Sequence, residues 1–131
     1  MTNPNLERWH AMLADHDIAR LEQLLAADAV FHSPIVHTPQ RGRDLVKLYL
    51  AAAFEVLVNG SFTYVRQVVG ERDAVLEFTA NVDGILVNGV DMIHWNDAGE
   101  IDDFKVMIRP LKAINLLHEH MRQMLESLKG A

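Results

Sequence analysis

The hydrophobic period of this chain changes once, near residue 60, and that change restricts the folds open to it. Up to Leu57, apolar residues recur every three or four positions: Leu6, Trp9 and Leu13, then Ile18, Leu21, Leu24 and Leu25, then Leu45, Val46, Tyr49, Ala53, Val56 and Leu57. This spacing gathers them on one side of a helix. The predicted helices are Asn5 to Ala14, with Asn3 as N-cap and Pro4 opening the first turn, Asp17 to Ala26, and Arg43 to Leu57, ended by Asn59 and Gly60. A short extended piece at Val30 to Pro34 and a loop to Gly42 lie between the second and third. From Phe62 the period falls to two. Phe62, Tyr64, Arg66 and Val68 alternate in one run, and Leu76, Phe78, Ala80 and Val82 in the next, the pattern of strands with one buried face. Asp83-Gly84 and Asn88-Gly89 are hairpin dipeptides, one the turn and the other a bulge or loop edge. Strands at Val90 to Trp95 and Ile101 to Ile108 flank a tight turn at Asn96 to Gly99. Pro110 stops the sheet. Leu111, Ile114, Leu117, Met121, Met124, Leu125 and Leu128 then mark a long amphipathic C-terminal helix.

Three helices before a run of antiparallel strands make an α+β domain whose helices bury their stripes on one face of the sheet. A strongly curved sheet over those helices leaves a cavity, where a ligand would sit. With 131 residues, 50% apolar and 23% charged, the chain suits one core, so 1–131 reads as a single domain. Its 18 acidic and 12 basic residues give a net charge of −6, and the basic ones form no run. Phosphate-backbone or anionic-membrane binding needs a basic face, so neither nucleic acid nor membrane is an expected partner. The absence of cysteine excludes disulfides, thiol catalysis and thiolate metal sites. Met1 to Leu6 has neither a basic leader nor an apolar core, and no apolar run approaches the roughly 20 residues of a spanning helix. A cytoplasmic location is the expectation.

Asp28-Ala29-Val30-Phe31-His32-Ser33-Pro34, Gly42 before the third helix, and Val90 to Ile101 with its Asn96-Asp97-Ala98-Gly99 turn follow one another in a telling order. In that order they resemble the superfamily of nuclear transport factor two, ketosteroid isomerases and SnoaL-like polyketide cyclases, over about residues 5 to 109. The resemblance implies a cone: a curved antiparallel sheet wrapped around N-terminal helices, with the C-terminal helix as an extra element. It also implies frequent pairing of subunits, so a homodimer is expected, through the mixed face of Val75, Glu77, Thr79 and Asn81. The isomerases use a carboxylate base and two hydrogen-bond donors, a Tyr and a protonated Asp. Here the positions resembling these carry Ser33, Trp9 and Asp91, so only the donor Asp is matched and steroid isomerisation is not expected.

Asp91 shares strand parity with Ile93 and Trp95. If they face the cavity, so does its carboxyl, and burial would raise its pKa. His32 and His37 bracket the loop that should rim the pocket, and either imidazole could serve as the missing base. Asp91, His32 and His37 are therefore the candidate catalytic residues; a Ser33-His37-Asp91 relay is a weaker alternative. Trp9, Ser33, Tyr49, Phe78, Trp95 and Phe104 are the candidate pocket walls. Tyr49 or Tyr64 could also present a hydroxyl, although a satisfied core aromatic is the plainer reading. Arg66, in step with Tyr64, could hold an anion or pair across the sheet. His118 and His120 are two apart on a helix and diverge, so no metal site is expected, and no cofactor is implied. The reading is a pocket for a small, mostly apolar molecule with acid-base chemistry of isomerase, cyclase or hydrolase type. The alternatives are a non-catalytic binding module or a dimeric interaction module. The C-terminal helix would cover the mouth of the cone or dock on a second subunit.

Overall fold

The N-terminal segment begins as its caps dictate. In the computed structural model, which describes residues 3–129 and side chains to residue 127, α1 runs over Pro4–Ala14, and the Asn3 side chain accepts hydrogen bonds from the N–H groups of Asn5 and Leu6. Leu6, Trp9 and Met12 are its buried stripe. The second predicted helix is cut short. A 3₁₀ turn at Ile18–Arg20 leads into a single turn, α2 (Leu21–Leu24), and at Leu25 the backbone becomes extended. β1 (Leu25–His32) therefore starts where a helix was expected to continue. Leu25 pairs with Ile101 in the sheet and is fully buried there, while its N–H donates to Leu21 O and its carbonyl accepts from Arg43 Nε at 3.1 Å.

β1 turns back through a two-residue strand, β2 (Gln40–Arg41), inside what reads as loop in the sequence. Gly42, at φ 99°, donates its N–H to Ala29 O and redirects the chain into α3 (Arg43–Leu57), whose bounds match the expectation. β3 (Thr63–Val69), β4 (Asp73–Val82), β5 (Ile85–Trp95) and β6 (Ile101–Arg109) follow as an antiparallel meander. Asp83-Gly84 makes the β4–β5 turn, both residues at positive φ. Asn88-Gly89 lies inside β5, so that strand begins at Ile85 rather than Val90.

The sheet order is β2-β1-β6-β5-β4-β3. Because β1 lies parallel to β6, the sheet is mixed rather than wholly antiparallel. It is curved, does not close, and carries the helices on one face, so the cone architecture holds. α4 (Leu111–Lys129) packs chiefly on α3 and touches β5 and β6. Its buried positions are Ala113 and Leu117, with Leu116, Met121 and Met124 against the core, whereas Leu111 is 71% exposed. Leu128, assigned to the same stripe, has its side chain outside the described residues. At its midpoint α4 is tied to the β4–β5 turn by His120 Nε2, 2.7 Å from Asp83 Oδ2. No described helix is long and apolar enough to cross a membrane.

Gly89 permits a close approach that fixes the meander. It stands opposite Phe78, and a Cβ there would lie 2.5 Å from Phe78 Cζ, 2.6 Å from Ile108 Cδ1 and 2.8 Å from the Met107 carbonyl oxygen. The backbone oxygen cannot withdraw as a side chain can. Gly89→Ala is expected to destabilise the protein by about 1–3 kcal/mol, read as a lower urea midpoint at an unchanged slope.

Candidate functional site

Asp91 is placed by the parity of β5. Gly89, Asp91, Ile93 and Trp95 face inward, and across the ladders Asp91 stands between Leu76 of β4 and Val106 of β6. Tyr64 of β3 is opposite Phe78 and reaches the carboxyl from the side: its hydroxyl donates to Asp91 Oδ2 at 2.6 Å. Trp9 Nε1–H of α1 donates in turn to the Tyr64 oxygen at 3.1 Å. One helix and two strands thus supply a buried polar chain, Trp9 to Tyr64 to Asp91, in an otherwise apolar interior. Asp91 and Val106 each keep 8% exposure, while Leu76, Phe78, Ile93 and Phe104 keep 2% or less.

Burial pushes the Asp91 carboxyl up to about 7, and the hydrogen bond from Tyr64 restrains the rise. The Tyr64 hydroxyl is pushed well above its ordinary value by burial, then by the nearby Asp91 charge and the hydrogen bond it donates there, against the opposing bond from Trp9. The carboxyl therefore gains and loses its proton near neutrality while the phenol keeps its own, in a place where charge is poorly solvated.

The sequence-derived residues divide by face. Trp9, Phe78, Trp95 and Phe104 are fully buried. Trp9 packs on Phe104 at 5.1 Å and on Phe54 at 5.6 Å. Tyr49 is half-buried with its ring 6.0 Å from Phe31. Ser33 accepts the Ile35 and Val36 N–H groups and so shapes its own loop. His32 lies on the opposite face of the sheet from Asp91, its Nε2 2.8 Å from Asp103 Oδ1, because its neighbour Phe31 takes the inward position. His37 is exposed in the loop. The structure therefore brings neither histidine to Asp91, and the Ser33-His37-Asp91 relay is not assembled. Arg66 also changes sides: a register shift between Tyr64 and Arg66 turns it outward, where its Nε donates to Glu77 at 3.0 Å. Among the described residues no group of three or more His, Asp or Glu is arranged to hold a metal.

Tyr64 is the partner that the sequence reading left as an ordinary core aromatic. The signal available was its alternation with Phe62, but the bulge that separates it from Arg66 leaves no mark in the sequence pattern. Its ring also borders a surface recess of about 300 Å³ beside α1. A larger groove of about 550 Å³, with Val68, Val75, Val90 and Met107, lies on the outer face of the sheet.

Because the folded-state pKa of Asp91 is raised, the native protein binds its proton more tightly than the unfolded chain does. That stabilisation is fully present below about pH 4, the pKa of an unfolded Asp, and is lost as pH rises toward about 7. The unfolding free energy of the wild type relative to Asp91→Asn should fall from pH 4 to 7 with a limiting slope of about 1.4 kcal/mol per unit, then level off. Urea titrations of both proteins at each pH measure it, and taking the difference removes the outer-face pairs such as His94 with Asp102.

The SnoaL-like domain family matches residues 6–104 of the chain. A steroid delta-isomerase from Pseudomonas aeruginosa is similar over 98% of this chain and 93% of its own, with 38% identity and a TM-score of 0.92. An uncharacterized protein with a cystatin-like fold from Silicibacter pomeroyi covers 93% of this chain and 85% of its own at 32% identity, TM-score 0.85. An NTF2-like protein of unknown function from Mesorhizobium loti, at 19% identity, TM-score 0.70 and coverage of 82% and 89%, shares the fold. No protein of curated function matches the chain. With a cone built by α1, α3 and the curved sheet, and with the family match spanning most of its length, this chain belongs to the SnoaL-like family of the NTF2-like superfamily.

Proposed function

We propose that the protein acts on a small, mostly apolar molecule by proton transfer of the isomerase type, with Asp91 as the acid and Tyr64 as its hydrogen-bonding partner. The observation that carries this is the buried carboxyl, pushed up to about 7 and bonded to Tyr64 at 2.6 Å. A protonated carboxyl in an apolar site donates to an oxygen that gains negative charge, and does so without solvent reorganisation. The likeness to a steroid delta-isomerase at 38% identity supports the reaction class. The substrate is not carried over with it, because Ser33 stands where the isomerases place their base and its hydroxyl is engaged by its own loop.

An unsaturated ketone whose double bond moves into conjugation gives a direct assay by ultraviolet absorbance. Asp91→Asn is expected to lower kcat about 10²–10³-fold, the loss typical of removing one oxyanion donor, and kcat/KM of the wild type should fall above about pH 7 as the carboxyl ionises. Equal rates for wild type and Asp91→Asn, or a profile flat through pH 7, would refute the assignment. Saturable ligand binding without turnover would favour the binding-module reading, which rests on the internal satisfaction of the Trp9, Tyr64 and Asp91 chain.

We also propose a homodimer through the outer sheet face. Val68 and Met107 there are 64% and 49% exposed beside the half-exposed Val75 and Val90, an apolar patch of the kind that marks an association surface. Light scattering at micromolar concentration should give twice the chain mass for the wild type and the chain mass for Met107→Asp; a monomeric wild type would end the idea.

A further inference from the structure

Two asparagines of this chain precede a glycine, in Asn59-Gly60 and Asn88-Gly89, and the fold treats them in opposite ways. Asn59 and Gly60 are exposed just past the end of α3, with Gly60 at φ 88°. Asn88 is half-buried in β5, and Gly89 is buried between Phe78 of β4 and Ile108 of β6.

The amide of Asn59 is held from both ends. Its Oδ1 accepts the Ser61 N–H at 3.1 Å and the Ser61 hydroxyl at 2.5 Å, while Nδ2 donates to the Asn81 carbonyl at 2.7 Å. A backbone donor on one side and a backbone acceptor on the other fix which end of the amide is oxygen. The hydroxyl is itself polarised, because the Asn81 N–H donates to Ser61 Oγ at 2.8 Å, and hydrogen bonds in series strengthen one another. The Asn81 carbonyl is a second acceptor for the hydroxyl, but at 3.3 Å against 2.5 Å the amide oxygen takes the proton. Among the described residues the Gly60 N–H donates to no acceptor.

From this arrangement we infer that Asn59-Gly60 is a self-modification site, at which the fold promotes conversion of the asparagine to aspartate and isoaspartate. The Gly60 nitrogen loses its proton to solvent base and adds to Asn59 Cγ, so a C–N bond forms and negative charge collects on Oδ1. The Cγ–Nδ2 bond then breaks, that nitrogen takes up a proton and leaves as ammonia, and a five-membered imide remains. Water adds to either imide carbonyl and reopens the ring as aspartate or isoaspartate. Water is the only co-reactant.

Three features favour the first bond. Gly60 carries no Cβ, so its nitrogen can approach the neighbouring side chain. Nucleophile and amide belong to adjacent residues, so the attack needs no encounter. The two Ser61 donors are aimed at the oxygen that gains charge, which is how an oxyanion is stabilised. Asn88-Gly89 shares the first two features and lacks the third. Its Nδ2 is tied to Glu77 Oε2 at 3.1 Å and to the Phe78 carbonyl at 3.0 Å, and its Oδ1 accepts only Arg109 Nη1, at 3.4 Å. Ladders on both sides also hold the Gly89 backbone extended.

The product bears on the fold at one point. An aspartate at position 59 has no N–H for the Asn81 carbonyl, and its charge lies at the carbonyl end of α3, where the helix dipole disfavours an anion. Asn81 also accepts the Gly84 N–H through its side chain, so the change reaches the turn that holds α4 through Asp83 and His120.

The test follows both amides on the full chain by peptide mass spectrometry, with electron-transfer fragmentation to separate aspartate from isoaspartate. The protein is kept in mildly alkaline buffer, native or unfolded in guanidinium chloride. Unfolded, the two sites should react at similar rates. In the native protein Asn59 should react at least as fast as when unfolded, and Asn88 about tenfold slower or more, because its attack requires a central strand to open. Ser61→Ala, which removes one oxyanion donor, should slow Asn59 about tenfold, short of the 10²–10³ of an enclosed enzyme site because this one is open to water. Ser61→Thr, which keeps the hydroxyl, should restore the rate. A native Asn59 slowed as much as Asn88, a Ser61→Ala rate equal to or above that of the wild type, or a Ser61→Thr rate as low as that of Ser61→Ala would each overturn the inference.

Discussion

A carboxyl group on the apolar face of a sheet is the constraint around which this protein is arranged. Asp91 sits between Leu76 and Val106, where an unpaired charge would cost several kcal/mol. The fold meets that cost in two ways: the group keeps its proton up to about pH 7, and Tyr64 donates to it when it ionises. Trp9 then fixes the Tyr64 oxygen, so the orientation of α1 against the sheet is tied to the same carboxyl. Loosening Trp9 or Tyr64 therefore alters the setting in which Asp91 holds its proton.

The bulge in β3 is what lets one strand serve two faces. Without the register shift after Tyr64, Arg66 would follow it inward and set a guanidinium beside Asp91. An inward cation would hold the carboxyl ionised and remove its capacity to donate. With the shift, Arg66 pairs with Glu77 outside and the interior keeps a neutral acid. The separation of Tyr64 from Arg66 is therefore an electrostatic device as much as a geometric one.

Much of this was legible from local pattern. The limits of α3, the capping of α1 by Asn3, the Asp83-Gly84 turn and the inward parity of Asp91 with Trp95 all follow from spacing, because each depends on neighbours within a few residues. The second helix was misread because Leu21, Leu24 and Leu25 fit a helical stripe, yet Leu25 gains a ladder with Ile101, a residue remote in sequence. His32 was read as rim-facing because the segment Val30 to Pro34 is too short for its parity to show; only the parallel register with β6 turns it toward Asp103. The packing of Trp9 on Phe54 was not legible, because the two rings approach from helices whose contact no local pattern encodes.

The sequence by itself determined the α+β class, the caps and turns, and the shared parity of Asp91 with Ile93 and Trp95. These are consequences of backbone preference and of hydrophobic period, which act over a few residues and need no partner. Tertiary structure alone decided that β1 lies parallel to β6, that His32 faces away, that a bulge divides Tyr64 from Arg66, and that Tyr64 meets Asp91. Those outcomes depend on pairings between segments far apart in the chain, where the free energy of burial and of satisfied hydrogen bonds is shared by both partners and is written in neither alone.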